Sequence, residues 1–191
     1  MSSEHYDEGN SIRDELAGVD TSSLFSVIDR ENVHGLNLSV PEDARAIIKP
    51  WNEREDTEKH ADSGVDDQLV IHVPFSQNVR VRSLILKLGR GEFTPRHLRI
   101  YANHTNIVDF AEADTTRPHL NITLLEGATD ATEYPLRAAV FANVFSLSLH
   151  FGESVGGEIS RLYYIGFKGE TRQMRKDSSG SAEHGKMNRR F

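Results

Sequence analysis

Short runs in which large apolar or β-branched residues alternate with polar ones recur through the middle of this chain, and they limit its fold class more than any other feature. Leu69-Val70-Ile71-His72-Val73-Pro74-Phe75, His97-Leu98-Arg99-Ile100-Tyr101-Ala102-Asn103 and Arg161-Leu162-Tyr163-Tyr164-Ile165-Gly166-Phe167 each end near Gly, Pro or Asn. Successive side chains of a strand point to opposite faces, so such runs are written for half-buried strands. No long helical periodicity separates them, which points to an antiparallel β-sandwich or barrel rather than an α/β sheet.

Along the chain, Leu24, Phe25, Val27 and Ile28 fit either one helical turn or a short strand, and Asn32–Asn37 reads as the first extended segment. A polar stretch follows from Pro41 to Asp67, in which Ile47, Ile48 and Trp51 are the large apolar residues. Leu69–Phe75, a Ser76-Gln77-Asn78 turn and Val79–Leu88 predict a hairpin. Further strands are expected at His97–Asn103, Leu120–Leu125, Val144–Phe151 and Leu162–Phe167. In the penultimate one, Phe145, Leu147, Leu149 and Phe151 alternate strictly and are expected to be buried together. About eight strands without an internal repeat suit an all-β jelly-roll sandwich.

The 191 residues accommodate one domain with polar ends. Residues 1–23 hold Glu4, Asp7, Glu8, Asp14, Glu15 and Asp20 against Arg13, a balance of −5, whereas residues 170–191 balance to +3. An acidic tail over 1–20, a domain over 21–175 and a basic tail over 176–191 are therefore expected. The whole-chain charge of −7 argues against nucleic acid or anionic lipid as the main partner. The chain has no cysteine, which excludes disulfides and thiolate chemistry, and no apolar run long enough for a leader or a membrane span. A cytosolic and nuclear monomer is expected, in which Asn37, Asn103 and Asn121 of the Asn-x-Ser/Thr sites stay unmodified.

Three constellations could carry chemistry. Gly152-Glu153-Ser154-Val155-Gly156 has the spacing of a hydrolase nucleophile elbow, but that motif needs a helix after the serine, and here Gly157 and a strand follow. A glycine-rich hairpin loop is the expectation. His72, His97, His104, His119 and His150 occur singly, without the His-x-His pair of metal-binding jelly-rolls, and read as strand-edge or surface imidazoles. Asp62, Asp66 and Asp67 are too few oxygens for calcium and read as a solvated turn. No catalytic residue, metal or cofactor is expected.

The strand segments above, together with Lys49-Pro50-Trp51-Asn52-Glu53-Arg54, resemble the PITH domain from about Ser22 to Arg175. The Lys-Pro-Trp-x-x-Arg segment resembles the branch of the family that stands alone, without a thioredoxin domain and its Cys-x-x-Cys pair. That resemblance implies a galactose-binding-like jelly-roll and a non-enzymatic module that associates with the regulatory particle of the 26S proteasome as adaptor or regulator. The closing Arg189-Arg190-Phe191 departs from the hydrophobic-Tyr-x tail of gate-opening activators. The alternative function is a jelly-roll that binds a sugar or small polar molecule at its loop end. Trp51, the single Trp, either plugs its loop onto the sandwich or anchors a partner. Trp51 and Arg54, with Lys49 and Glu53 beside them, are the partner-binding candidates, and Ile47–Asp67, set outside the strands, is the expected binding surface.

Overall fold

The computed structural model describes residues 23–172; the two charged ends read from the sequence lie outside the described residues. Eight strands form the body: β1 (His34–Leu36), β2 (Ala61–Asp62), β3 (Leu69–Leu88), β4 (Pro95–Ala102), β5 (Leu120–Thr123), β6 (Thr132–Pro135), β7 (Val144–Ser154) and β8 (Arg161–Thr171). Two short helices, α1 (Asp43–Ala46) and α2 (Phe110–Thr115), lie in connections, and Phe25–Val27 forms a 3-10 turn.

The predicted hairpin is instead one strand of 20 residues. Its first half pairs with β7 from Leu69↔Phe151 to Pro74↔Ser146, and the register then shifts before Val79. Its second half pairs with β8 from Val79↔Thr171 to Leu88↔Leu162. A tight hairpin needs left-handed residues at its turn, and none of Ser76, Gln77 and Asn78 has positive φ. Pro74, which has no N–H to give the ladder, marks where the strand leaves one sheet. Strand β3 therefore belongs to two layers, β1-β3-β7-β4-β5 and β6-β3-β8-β2, both antiparallel.

The core between the layers takes the inward residues of each: Leu69, Ile71 and Val73, Leu98 and Ile100, Leu147, Leu149 and Phe151, Leu84 and Leu86, Ile165 and Phe167. Phe145 keeps that alternation in the sequence but is 45% exposed, contrary to the expectation from pattern alone; its neighbour Val144, fully buried, joins the core instead, where the pairing with β3 shifts register. Phe145 sits one residue into β7, in an open groove beside Phe75, Asn78 and Arg172.

Some of the outward residues are buried as well, because a connection lies over part of each sheet. On the first sheet, His72, Ser148 and Tyr101 share one row. Val108 donates its N–H to Ser148 Oγ, and Tyr101 donates its hydroxyl to Ala113 of α2. Asp109 caps α2 by accepting the Glu112 N–H at 2.7 Å. His72 and His150, expected at edges or on the surface, are 3% and 4% exposed beneath this connection. On the second sheet Ile85 and Tyr164 are buried outside the core cluster, under the segment that carries Trp51.

Two of the three Asn-x-Ser/Thr asparagines are structural. Asn37 and Asn103 take left-handed φ of 54° and 64°, a region Asn tolerates better than most residues. Asn37 Nδ2 donates to Asp66 and to the Gln68 carbonyl, while Asn103 binds the backbone of Asn143 and Phe145. The acidic trio is engaged with the same scaffold. Asp62 holds Arg161 through two bonds of 2.7 and 2.8 Å, Asp66 accepts the Gln68 N–H, and Asp67 accepts the Ser154 N–H.

Candidate functional site

The surface built around Trp51 begins with Lys49. Its ammonium is turned inward, 3% exposed, and donates to the carbonyls of Asp56 and Lys59 at 3.0 Å each while lying 3.1 Å from the Asp56 carboxylate. A cation buried that far has to be fully hydrogen-bonded, so Lys49 ties residues 49 to 59 into a closed loop. The loop's own Glu58 N–H, with Lys49, holds the Asp56 carboxyl below its ordinary range. Of the four residues singled out in the sequence, Lys49 is thus a strut, whereas Glu53 is exposed and Trp51 and Arg54 are half-buried.

Pro50 precedes a 3-10 turn, Trp51–Glu53, whose tight pitch brings Arg54 back over Trp51. The Arg54 guanidinium lies 4.2 Å from the indole centroid and donates to the Trp51 carbonyl at 3.0 Å. Lys168, on the outer face of β8, places its ammonium 4.7 Å from the same ring. Trp51 is absent from the core clusters, so its ring lies on the sheet's outer surface between charged groups.

Carboxylates complete the patch. Glu133 of β6 accepts from Ser83 Oγ at 2.6 Å and from Lys168 at 3.0 Å, which holds its carboxyl below the ordinary value. Glu55 binds Lys87 at 2.8 Å and the Ala131 N–H at 2.9 Å. Burial raises the Glu55 carboxyl, but the Lys87 bond and the Ala131 N–H outweigh it and leave the group lowered. Burial pushes the neighbouring Tyr164 phenol up to about 12, so it stays neutral beneath the loop. Lys168, Glu133, Lys87 and Glu55 were missed from sequence. The parity of β8 offered one signal, since Tyr164, Gly166 and Lys168 fall on a single face; nothing local marks Glu55 as their partner.

Ile47–Asp67 is not wholly outside the strands, because β2 pairs Ala61 and Asp62 with Leu162 and Arg161. The glycine-serine motif sits where β7 ends, in a turn that leads directly to β8. Ser154 is 5% exposed; its hydroxyl faces Asp67 Oδ2 at 3.3 Å and accepts the Gly157 N–H at 2.9 Å. It is a turn brace, without the strand-to-helix elbow that presents a nucleophile.

Comparison with known proteins agrees with this architecture. Solved structures with the same fold include the family 32 carbohydrate-binding module of C. perfringens NanJ in complex with galactose, at TM-score 0.51 and 10% identity over 77% of this chain and 98% of that one. The CBM32-1 and CBM32-2 domains of Clostridium perfringens ZmpB match at TM-score 0.56 and 15% identity, over 87% of this chain and 41% of that one. At these identities the likeness is one of fold, a galactose-binding-like β-sandwich. PITH domain-containing protein 1 of Mus musculus is 32% identical over 154 residues, 80% of this chain and 72% of that protein. Its counterpart in Danio rerio is 34% identical over 148 residues, 77% of this chain and 69% of that protein. The PITH domain matches residues 15–185, so the chain belongs to the PITH domain family.

Proposed function

We propose that this chain is a non-enzymatic interaction module of the cytosol and nucleus that associates with the regulatory particle of the 26S proteasome, as an adaptor or regulator, through the surface around Trp51. The observation that supports this surface is the indole set between Arg54 and Lys168, with exposed Glu53 beside it, on a loop fixed from below by Lys49. Trp and Arg are the residue types that most often dominate binding energy, and a preorganised loop gives up little freedom on binding. The partner class comes from the PITH resemblance.

Affinity purification of the tagged chain from lysate with quantitative mass spectrometry tests the reading. Regulatory-particle subunits should be enriched with the native chain and lost with Trp51→Ala and with Arg54→Glu. Enrichment that is unchanged in both variants would move the interface elsewhere, and no enrichment with the native chain would remove the proteasome from the proposal.

A further inference from the structure

The connection through α2 covers only part of the first sheet's outer face. Beside it lies an open groove of about 490 Å³, within the roughly 300–1,000 Å³ of small-molecule sites. Strand register builds its floor: Gly152 lies opposite His97, and one row further on His150 lies opposite Arg99, which in turn lies opposite Asn121. Asp67 and Gln68, just before β3, and Glu153 complete the wall; the Asp67 carboxylate is engaged by the Ser154 N–H at 2.8 Å.

Three independent features mark this groove as more than a gap in the surface. Gly152 sits inside a strand, where glycine is disfavoured relative to alanine, and its φ is not left-handed, so the backbone does not require it. A Cβ at that position would meet only Gln68 Cγ, at 3.3 Å, which means that the missing side chain is what keeps the floor open. Glycine inside a strand marks a bulge, a tight bend, or a place where a ligand or another backbone approaches closely, and the open space above Gly152 fits the approach of a ligand.

His150 is the second feature. The ring is 4% exposed, its Nε2 is 3.1 Å from Gln68 Oε1, and its buried Nδ1 has no protein partner. Burial holds the imidazole neutral, at about 4, so one ring nitrogen is left with hydrogen-bonding capacity that the protein does not use. Arg99 is the third. Its Nη1 donates to the Ala113 carbonyl at 3.2 Å, while its carboxylate neighbour, Asp114, is 4.0 Å away and 77% exposed. Its charge is therefore weakly compensated within the sheet. Glu153, by contrast, already lies 3.1 Å from His97 Nε2.

We propose that this groove binds a small anionic sugar, with the acidic group on Arg99 and the hydroxyls on Gln68, Asn121 and His150. A guanidinium forks onto a carboxylate or phosphate, and the surrounding amides and imidazoles both donate to and accept from hydroxyls. The site is separate from the Trp51 surface and does not depend on the proposed proteasome association.

Titration of the full ¹⁵N-labelled chain with D-glucuronate, D-glucose 6-phosphate and D-glucose, followed by assigned amide spectra, tests it. Saturable shifts are expected at Gln68, Arg99, Asn121, His150 and Gly152, with Kd at or below about 1 mM for one or both anions and at least tenfold weaker binding of glucose. The two anions distinguish carboxylate from phosphate as the recognised group. Arg99→Gln should weaken the anion about tenfold, to the level of glucose. Gly152→Val should abolish binding of all three while amides of the second sheet keep their positions. Trp51→Ala should leave the titration unchanged. The proposal is overturned by glucose binding as tightly as the anions, by shifts away from these residues, by full affinity in Arg99→Gln, or by the absence of saturable shifts.

Discussion

His72 and His150 carry the residue-scale consequence of covering a sheet's outer face. Burial, assisted at His72 by His34 and His104 and at His150 by Arg99, lowers each imidazole from 6.5 to about 4. Protonation then favours the unfolded chain. The stability that neutral burial permits is complete above pH 6.5 and is lost as pH falls from 6.5 towards 4, by about 1.4 kcal/mol per pH unit for each group at most. Denaturant titrations from pH 7 to 4 should show that decline, to which His119, also lowered by burial, adds, and His72→Gln should reduce its slope. A slope that is the same in the variant would contradict the assigned burial. The contrast between Leu147 and Phe145 is a second residue-scale test. Leu147 is fully enclosed, so Leu147→Ala should cost roughly 2–5 kcal/mol, whereas Phe145→Ala should cost about 1 kcal/mol or less because the ring is already half in solvent. Comparable losses in the two variants would show that the end of the sandwich is closed over Phe145. Alternation assigned both residues to the inward face of β7, which holds for Leu147 and not for Phe145. It could not show that Val144 and not Phe145 joins the core, because that depends on the shift in register against β3, a strand distant in sequence.

At the scale of elements, β3 and the two covering connections decide the architecture. The strand pattern of β3 was legible, but the passage from one sheet to the other was not, since Ser76-Gln77-Asn78 has the composition of a turn and only the pairing partners reveal a continuous strand. Strands β2 and β6 escaped notice for a related reason: two and four residues respectively, they are too short to establish a period and are ordered by β8 and β3. The loop over the second sheet was legible as a candidate through Trp51 and Arg54, while the inward turn of Lys49 was not, because a lysine in a polar stretch ordinarily points to water. Its role gives a test. Lys49→Met removes the donor to both carbonyls, so hydrogen exchange of amides 51–60 should accelerate at least tenfold while that of β7 stays unchanged. Unaltered protection across 51–60 would show that the loop is held by other contacts.

At the scale of the whole molecule, two antiparallel layers enclose one core, and each layer wears a connection on its outside. That arrangement leaves two different surfaces on opposite layers: a charged aromatic platform around Trp51 and a polar groove around Gly152. The jelly-roll class was readable from strand count and alternation, and the PITH segments pointed to the family the comparisons establish. The composite sites were less readable, since each joins residues tens of positions apart. The platform's stability can be separated from its binding role, because Trp51 lies outside the core; two cation–π contacts contribute about 1–2 kcal/mol together, so Trp51→Ala should lower Tm by only a few degrees. The most direct measurement is the binding of the purified full chain to purified 26S proteasome, with the isolated 20S core as control, for the native chain and for Trp51→Ala. Association with the 26S particle but not with the core, weakened at least tenfold in the variant, is the outcome expected from a module that docks on the regulatory particle through Trp51. Equal binding of the native and variant chains, or no binding to the 26S particle, would contradict it.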